Sequence, residues 1–416
     1  MSATAVRRPE RLVVVGASLA GLRAAEAARS AGFTGSLTLI GAEQHLPYDR
    51  PPLSKSFLTD PGEPAVPWLT DPAVLRDELG VELRLGARAE SLDVAGRTLR
   101  AAGETVPYDA LVIATGARAR TLPGTAGLTG IHTLRTLSDA RAVRAALADR
   151  PATVVVGSGL IGSEIAAAAR SRGCAVTVVE KTPAPFHRRG GGHLGAVCAR
   201  LHRAHGVDLR CGVSVESFEG DARGRVSAVV LSDGSRLPAQ CVVVGIGAVP
   251  RTEWLDGSGV AVDDGVVCDD TLATSAPGVW AAGDVARVLS YDGDAGGRQE
   301  HWTHAAEQGA LAGANAVAGG QTEPFRSLPY FWTDWYGVRV QGVGAIDAGE
   351  PWTIGDPRDD SYVVVFRVGD RPVGALGFER PRDMTRLRRL LRRGGNWQDL
   401  LDLMEGRKTG DLPAAR

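Results

Sequence analysis

The sequence predicts an α/β protein with two parallel-sheet, dinucleotide-binding units and a smaller tail of mixed strand and helix. Three observations predict this. Two segments, Arg11 to Glu43 and Thr153 to Lys181, repeat a strand, a glycine turn, an alanine-rich helical stretch and a second strand ending at an acid. After Gly319-Gly320 the pattern changes to aromatic and alternating runs. A chain of 416 residues also has room for two or three domains of ~100 to 200 residues.

In the first unit the β-branched run Val13 to Val15 stops at Gly16, and the turn continues through Ser18, Leu19 and Ala20 to Gly21. The second strand ends at Glu43, 27 residues after Gly16. An acid ~20 residues past such a turn is placed to accept hydrogen bonds from a ribose. Residues 60 to 107 read as short alternating strands, hence a small antiparallel ribbon. YDALVIATGARAR (Tyr108 to Arg120) is a buried strand ending in Ala114, Thr115 and Gly116. The second unit carries Gly157, Gly159 and Gly162 with Leu160 and Ile161 between them, and its acid is Glu180, 23 residues on. Another ribbon is expected from about 207 to 240, turning at Ser232-Asp233-Gly234. Thr271 to Ala286 holds a strand ending at Gly283 and Asp284. The tail contains PYFWTDWYG, SYVVVFRV and GALGF, then an arginine-rich helix.

The glycines have a physical purpose. In G-x-G-x-x-G one makes the tight turn, one lets the backbone approach a pyrophosphate, and one lets helix pack on strand. The helix N-terminus adds amide donors and a positive dipole. The first turn has Ser18 at the middle position. A lone fingerprint is weak, but two copies, both ended by an acid, point to two nucleotide sites. For Ala114 to Gly116 and for Gly283-Asp284, spacing alone leaves open that they are ordinary strand ends.

Composition excludes other classes. The net charge is −1, from 47 basic and 48 acidic residues, so no bulk field favours nucleic acid or membrane. The cysteines, Cys174, Cys198, Cys211, Cys241 and Cys268, show no CxxC spacing for zinc, an iron–sulfur cluster or a redox disulfide, and no metal is expected. No signal-peptide-like or ~20-residue apolar stretch occurs, which suggests a cytoplasmic protein.

The order of glycine turn, LPYDRPPLSK (Leu46 to Lys55), ATGA (Ala114 to Ala117), second glycine turn, AAGD (Ala281 to Asp284), EHWTHAAEQG (Glu300 to Gly309), FWTD (Phe331 to Asp334) and RPRDMTRLRRL (Arg380 to Leu390) resembles the FAD-dependent NAD(P)H:ferredoxin reductases. The putidaredoxin reductase type is among them. The resemblance covers about residues 10 to 395. It implies two interleaved Rossmann-like domains of the glutathione-reductase type plus a C-terminal α+β interface domain. The FAD-binding domain would be 1–116 with 242–322, the NADH-binding domain 117–241, and the interface domain 323–416.

The resemblance also implies roles. The first glycine turn, Gly16, Ser18, Leu19, Ala20 and Gly21, would bind the FAD pyrophosphate and Glu43 its ribose. Arg50, Lys55, Ala114, Thr115, Gly116, Arg120, Gly247, Gly283, Asp284, Glu300, His301, Trp302 and Trp332 match positions around FAD, with Asp284 on the ribityl chain and Trp332 beside the flavin. Gly157, Gly159, Leu160, Ile161 and Gly162 would bind NADH. Glu180 would accept its 2′-hydroxyl and repel the phosphate of NADPH, partly offset by Lys181 and Arg188.

Hydride transfer needs nicotinamide and flavin about 3 to 3.5 Å apart in a site closed to water. Lys55 can place its charge near the flavin, and Glu164 can pair with Lys55 and meet the nicotinamide amide. Each has a plainer reading: a solvated lysine on a turn, and an acid favoured by the helix dipole in the first turn. Asp284 could equally be a helix N-cap. No cysteine precedes Cys174, so a flavin here lacks the partner thiols of disulfide reductases and must pass electrons singly to a carrier.

Thr333 and Trp335 depart from the Ser and Gln common in the family, and Trp335 is placed to alter acceptor choice. His301 and His304 are read as flavin-domain residues. Arg380 to Arg393 holds seven arginines and one aspartate, either a solvated face or, through Arg386, Arg389 and Arg393, a dock for an acidic iron–sulfur ferredoxin. The sequence thus predicts an NADH:ferredoxin reductase feeding an oxygenase, monomeric or weakly dimeric. Alternatives are a rubredoxin or other carrier reductase, and a redox-sensing flavoprotein resembling apoptosis-inducing factor.

Overall fold

Valine-rich runs buried along their whole length build two parallel sheets, as expected of strands covered on both faces. In the computed structural model, which describes residues 8–62, 64–187, 192–291, 294–320, 322–326 and 328–404, the chain passes repeatedly between two compact units. One comprises Met1–Arg50, Ala65–Arg118 and Ala248–Ser327, the other Pro51–Pro64, Ala119–Gly247 and Leu328–Arg416.

The sheet of the first unit runs in the order Val279–Ala281, Ala110–Ile113, Arg11–Val15, Ser36–Ile40, Val81–Arg84, all parallel. Helix Leu19–Ser30 follows the first glycine turn, and helix Trp302–Val317 lies against it. Their approach depends on Gly309 and Gly313: a Cβ there would come within 2.2 and 2.1 Å of the Ala20 and Ala24 carbonyl oxygens. The antiparallel ribbon is Ala89–Asp93, Thr98–Ala101 and Glu104–Pro107. It begins later than the expected residue 60. Val81–Arg84 belongs instead to the parallel sheet; as its edge strand it is only half covered, so its residues alternate like those of a ribbon.

The second unit has the parallel order Asp208–Cys211, Val176–Glu180, Thr153–Val156, Cys241–Val244, Ile131–Thr133. Asp208–Cys211 is again an edge strand, so the second ribbon starts at Val215 rather than 207. Cys241–Val244 pairs in this sheet, and the chain returns to the first unit at Ala248 rather than at 242. The tail forms a five-stranded antiparallel sheet, Tyr330–Trp335, Val338–Gly344, Arg371–Phe378, Tyr362–Val368, Glu350–Ile354. Helix Pro381–Arg392 packs on it through buried Met384, Leu387 and Leu390.

Pro51–Pro64 joins the second unit for a local reason. Arg144 donates to the carbonyls of Phe57 and Asp60 at 2.8 Å each, and Arg172 to that of Leu58 at 2.8 Å. Leu58 itself is fully buried against Val155 and Ile165. Among the described residues no helix is long and apolar enough to cross a membrane.

Candidate active site

Each glycine turn is built for close backbone contact. Gly16 sits at φ +122°, and a Cβ there would lie 2.0 Å from the Ala114 oxygen, so the turn nests on the end of strand Ala110–Ile113. Gly157 sits at φ +99°. A Cβ on Gly21 or Gly162 would meet the oxygen of Gly16 or Gly157 at 1.9 and 2.0 Å, which is the helix-on-strand packing the third glycine permits. Gly159 differs: a Cβ there meets nothing within 4 Å.

Helices Leu19–Ser30 and Leu160–Ser171 both start without a side-chain cap, at Ser18 and Gly159. Helix Leu137–Ala146 in the same chain carries a full capping box from Thr136 and Asp139. Both turns thus present uncapped amides, the second with open space over Gly159, and a pyrophosphate suits both.

The two terminal acids are held differently. Glu43 accepts from the Tyr48 hydroxyl at 2.6 Å and from Arg50 at 2.8 Å. Burial alone would raise its pKa, but Arg50 and Tyr48 outweigh it and the carboxyl lies below the usual range. Glu180 accepts four hydrogen bonds: from the Ser158 amide and hydroxyl at 2.9 and 2.8 Å on Oε2, and from the Thr182 amide and hydroxyl at 2.8 and 2.7 Å on Oε1. These again overcome burial and depress its pKa. Lys181 is exposed; Arg188 lies outside the described residues.

A charged cluster lies in the second unit. Glu164 is 3 % exposed and pairs with Lys55 Nζ through Oε1 at 2.8 Å. The Thr333 hydroxyl donates to the same oxygen at 2.5 Å, and the Ser54 hydroxyl donates to Oε2. Lys55 Nζ also reaches the Pro51 carbonyl at 3.3 Å, so two of its three donors are engaged in the chain. Glu164 is the fifth residue of its helix, whose first turn holds no acid, so the dipole does not explain it.

Elsewhere in the first unit, the Gly283 amide donates to Gln308 at 2.8 Å, and Gln308 bonds His304 at 3.1 Å. Asp284 lies inside the short turn Gly283–Val285, whose cap position is Ala282, so the N-cap reading is wrong: the chain re-enters a strand at Ala286 with no helix to cap. Arg298 donates to the Asp284 carbonyl at 3.2 Å and to the Glu300 carboxylate. His301 occupies the N-cap position of helix Trp302–Val317 without a side-chain capping bond, and Trp302 Nε1 donates to Asp49 at 2.6 Å. In the second unit the Arg120 amide donates to the Gly247 oxygen at 3.0 Å, and half-buried Trp332 lies 6.1 Å from Tyr330. Trp335 is 1 % exposed against Phe186, a core residue that no acceptor can touch. Among the described residues no group of three His, Cys, Asp or Glu is arranged to hold a metal.

Residues 10–309 match the pyridine nucleotide-disulphide oxidoreductase family and residues 330–402 the reductase C-terminal domain. The chain is 37% identical over 405 residues, 95% of its length and 98% of the relative's, to the anthranilate 1,2-dioxygenase system ferredoxin–NAD(+) reductase component of Burkholderia cepacia. It is 31% identical to the putidaredoxin reductase of Pseudomonas putida, covering 92% of each chain. The chain belongs to the FAD-dependent ferredoxin reductase family. Its fold matches the reductase in a covalent putidaredoxin reductase–putidaredoxin complex with TM-score 0.88 at 29% identity, over 97% of this chain and 100% of that one. It matches the ferredoxin reductase of a Rhodopseudomonas palustris P450 system with the same TM-score at 32% identity, over 93% and 95%. Members of this family use FAD and NADH.

Four residues of this reductase's clusters escaped the sequence reading of its sites: Ser54, Ser158, Thr182 and Tyr48. Thr333 stands out in the sequence only as a departure from the family pattern. Ser54 and Tyr48 sit inside the quoted LPYDRPPLSK motif and Ser158 inside the second glycine turn, so motif membership was the available signal.

Proposed function

We propose that this chain oxidises NADH at a bound FAD and hands the electrons on, one at a time, to an iron–sulfur ferredoxin that supplies an oxygenase. The observation that carries the proposal is the pairing of two uncapped glycine-turn helices with the Lys55–Glu164 ion pair, in a chain without a cysteine before Cys174. When bound, FAD supplies acceptance of a hydride and release of its two electrons singly.

The chain's own residues bind and orient. The first turn, Gly16 to Gly21, holds the FAD pyrophosphate, Glu43 its ribose and Asp284 its ribityl hydroxyls. The second turn, Gly157 to Gly162, holds the NADH pyrophosphate, and Glu180 meets the adenosine ribose. Lys55 carries a positive charge with an uncommitted N–H donor, while Ser54 and Thr333 keep Glu164 in place. The five cysteines are all free, which fits a reducing, cytoplasmic setting.

For the acceptor, charge supports a surface. Arg382, Arg386, Arg389 and Arg393 are exposed on one stripe of the tail helix and its cap, and among the described residues none has an ion pair. Arg380 is paired with Asp383 and Arg388 lies over Tyr330, so these two do not share that stripe. Such a stripe steers an acidic ferredoxin. The test is NADH-driven cytochrome c reduction by the FAD-loaded protein with and without an added iron–sulfur ferredoxin. A rate that depends on ferredoxin supports the proposal; rapid flavin reduction without it refutes a ferredoxin as the acceptor.

A further inference from the structure

Glu180 has no acceptor site left for a ribose. A carboxylate offers about four lone-pair positions, and here the Ser158 amide and hydroxyl fill those of Oε2 while the Thr182 amide and hydroxyl fill those of Oε1. To accept a ribose hydroxyl, the carboxylate must release one donor. The two amides are fixed by the backbone, so the choice falls between the two hydroxyls.

They are not equivalent. Ser158 is fully buried, and its hydroxyl donates to Glu180. The Thr182 hydroxyl lies 2.7 Å from Glu180 Oε1 and also 2.9 Å from the Ala184 carbonyl. It carries a single proton, which serves one acceptor at a time. A turn about the C–O bond moves that proton to Ala184 and opens Oε1 without stranding a donor.

We propose that Thr182 is a specificity-determining residue for the nicotinamide nucleotide, acting by positioning Glu180. With its hydroxyl on Oε1, the carboxylate is held at both oxygens and does not swing aside from a 2′-phosphate. A 2′-hydroxyl, being a donor, replaces the Thr182 hydroxyl on Oε1, which then turns to Ala184. A 2′-phosphate has no proton to give at neutral pH and meets a fixed negative charge instead. Discrimination therefore comes from Glu180 together with the group that prevents it from moving. This rests on the reading that Glu180 meets the adenosine ribose.

The test uses the FAD-loaded protein and its Thr182→Ala, Thr182→Ser and Glu180→Ala variants. Calorimetry gives Kd for NAD+ and NADP+, and ferricyanide reduction gives KM and kcat with NADH and NADPH. Thr182→Ala is expected to improve NADP+ binding relative to NAD+ by about tenfold to a hundredfold, the scale of one lost hydrogen bond to a charged group. The gain should appear in the KM for NADPH rather than in kcat, and Thr182→Ser should keep the wild-type ratio. If Glu180→Ala relaxes selectivity and Thr182→Ala leaves it unchanged, the role of Thr182 is wrong while that of Glu180 stands. If Thr182→Ala weakens both nucleotides equally, Thr182 only supports the loop and the proposal fails. If Glu180→Ala does not change selectivity, the ribose reading itself falls.

Discussion

Glu164 is met by three donors in a nearly closed site: Lys55, Thr333 and Ser54. Removing one partner of a buried ion pair leaves the other uncompensated, a cost of roughly 3 to 5 kcal/mol. Glu164→Gln leaves Lys55 without its carboxylate partner and is expected to slow NADH-driven flavin reduction by about tenfold, equivalent to ~1.4 kcal/mol of barrier. Stopped-flow absorbance at the flavin band reads it, and an unchanged rate would remove the pair from the reaction. A pH effect belongs to His202, fully buried between Tyr336 at 2.6 Å and Ser163 at 3.2 Å. Burial, helped by His205, lowers its pKa to about 4, and burial with His301 does the same for His304. The unfolded chain binds a proton on each near pH ~6.5 while the folded chain does not, so stability is full above that pH and declines as pH falls toward 4. Thermal midpoints should drop between pH 6.5 and 4.5, less steeply in His202→Asn. A flat profile would mean these histidines are not held neutral. Lys55 and Glu164 were legible because each lies in a motif. Their link to Thr333 was not, because Thr333 stands 169 residues from Glu164 and nothing local marks a hydroxyl that will meet a distant carboxylate.

The glycine turns separate binding from folding. Gly159→Ala adds a methyl to open space above the second turn, so the fold should be kept while NAD+ binding weakens strongly, by calorimetry. Gly162→Ala forces a methyl to within 2.0 Å of the Gly157 oxygen and should destabilise the protein by about 1 to 3 kcal/mol in denaturant melts. If the two variants behaved alike, the division of labour within the turn would be wrong. The parallel strands were legible from their unbroken valine runs, as were both glycine turns and the tail's alternating strands. The misplaced ribbon starts share one cause: an edge strand of a parallel sheet is half solvated and alternates, so Val81–Arg84 and Asp208–Cys211 imitate antiparallel strands. The cap reading of Asp284 fails for a similar reason, since an acid after a glycine reads as a cap when the following segment is in fact a strand.

Across the whole molecule, the chain alternates between its units, and Pro51–Pro64 brings Ser54 and Lys55 to Glu164 within the second of them. Sequence order hides that placement, because it depends on Arg144 and Arg172 clasping carbonyls of the segment. Surface charge is the other property of this scale. Several exposed arginines elsewhere have acidic partners, as Arg11 has Asp109 and Arg236 has Glu219, whereas among the described residues the tail-helix stripe has none. Reversing Arg386, Arg389 and Arg393 to Glu should slow ferredoxin reduction at low salt, with the difference fading as salt rises, and leave ferricyanide reduction intact. Equal ferredoxin rates would dismiss the stripe. The central claim is that two electrons enter together and leave singly. It is tested most directly by an anaerobic titration of excess oxidised iron–sulfur ferredoxin with NADH in the presence of catalytic FAD-loaded protein. The account predicts two ferredoxins reduced per NADH consumed, and a flavin that reduces but leaves ferredoxin oxidised would contradict it.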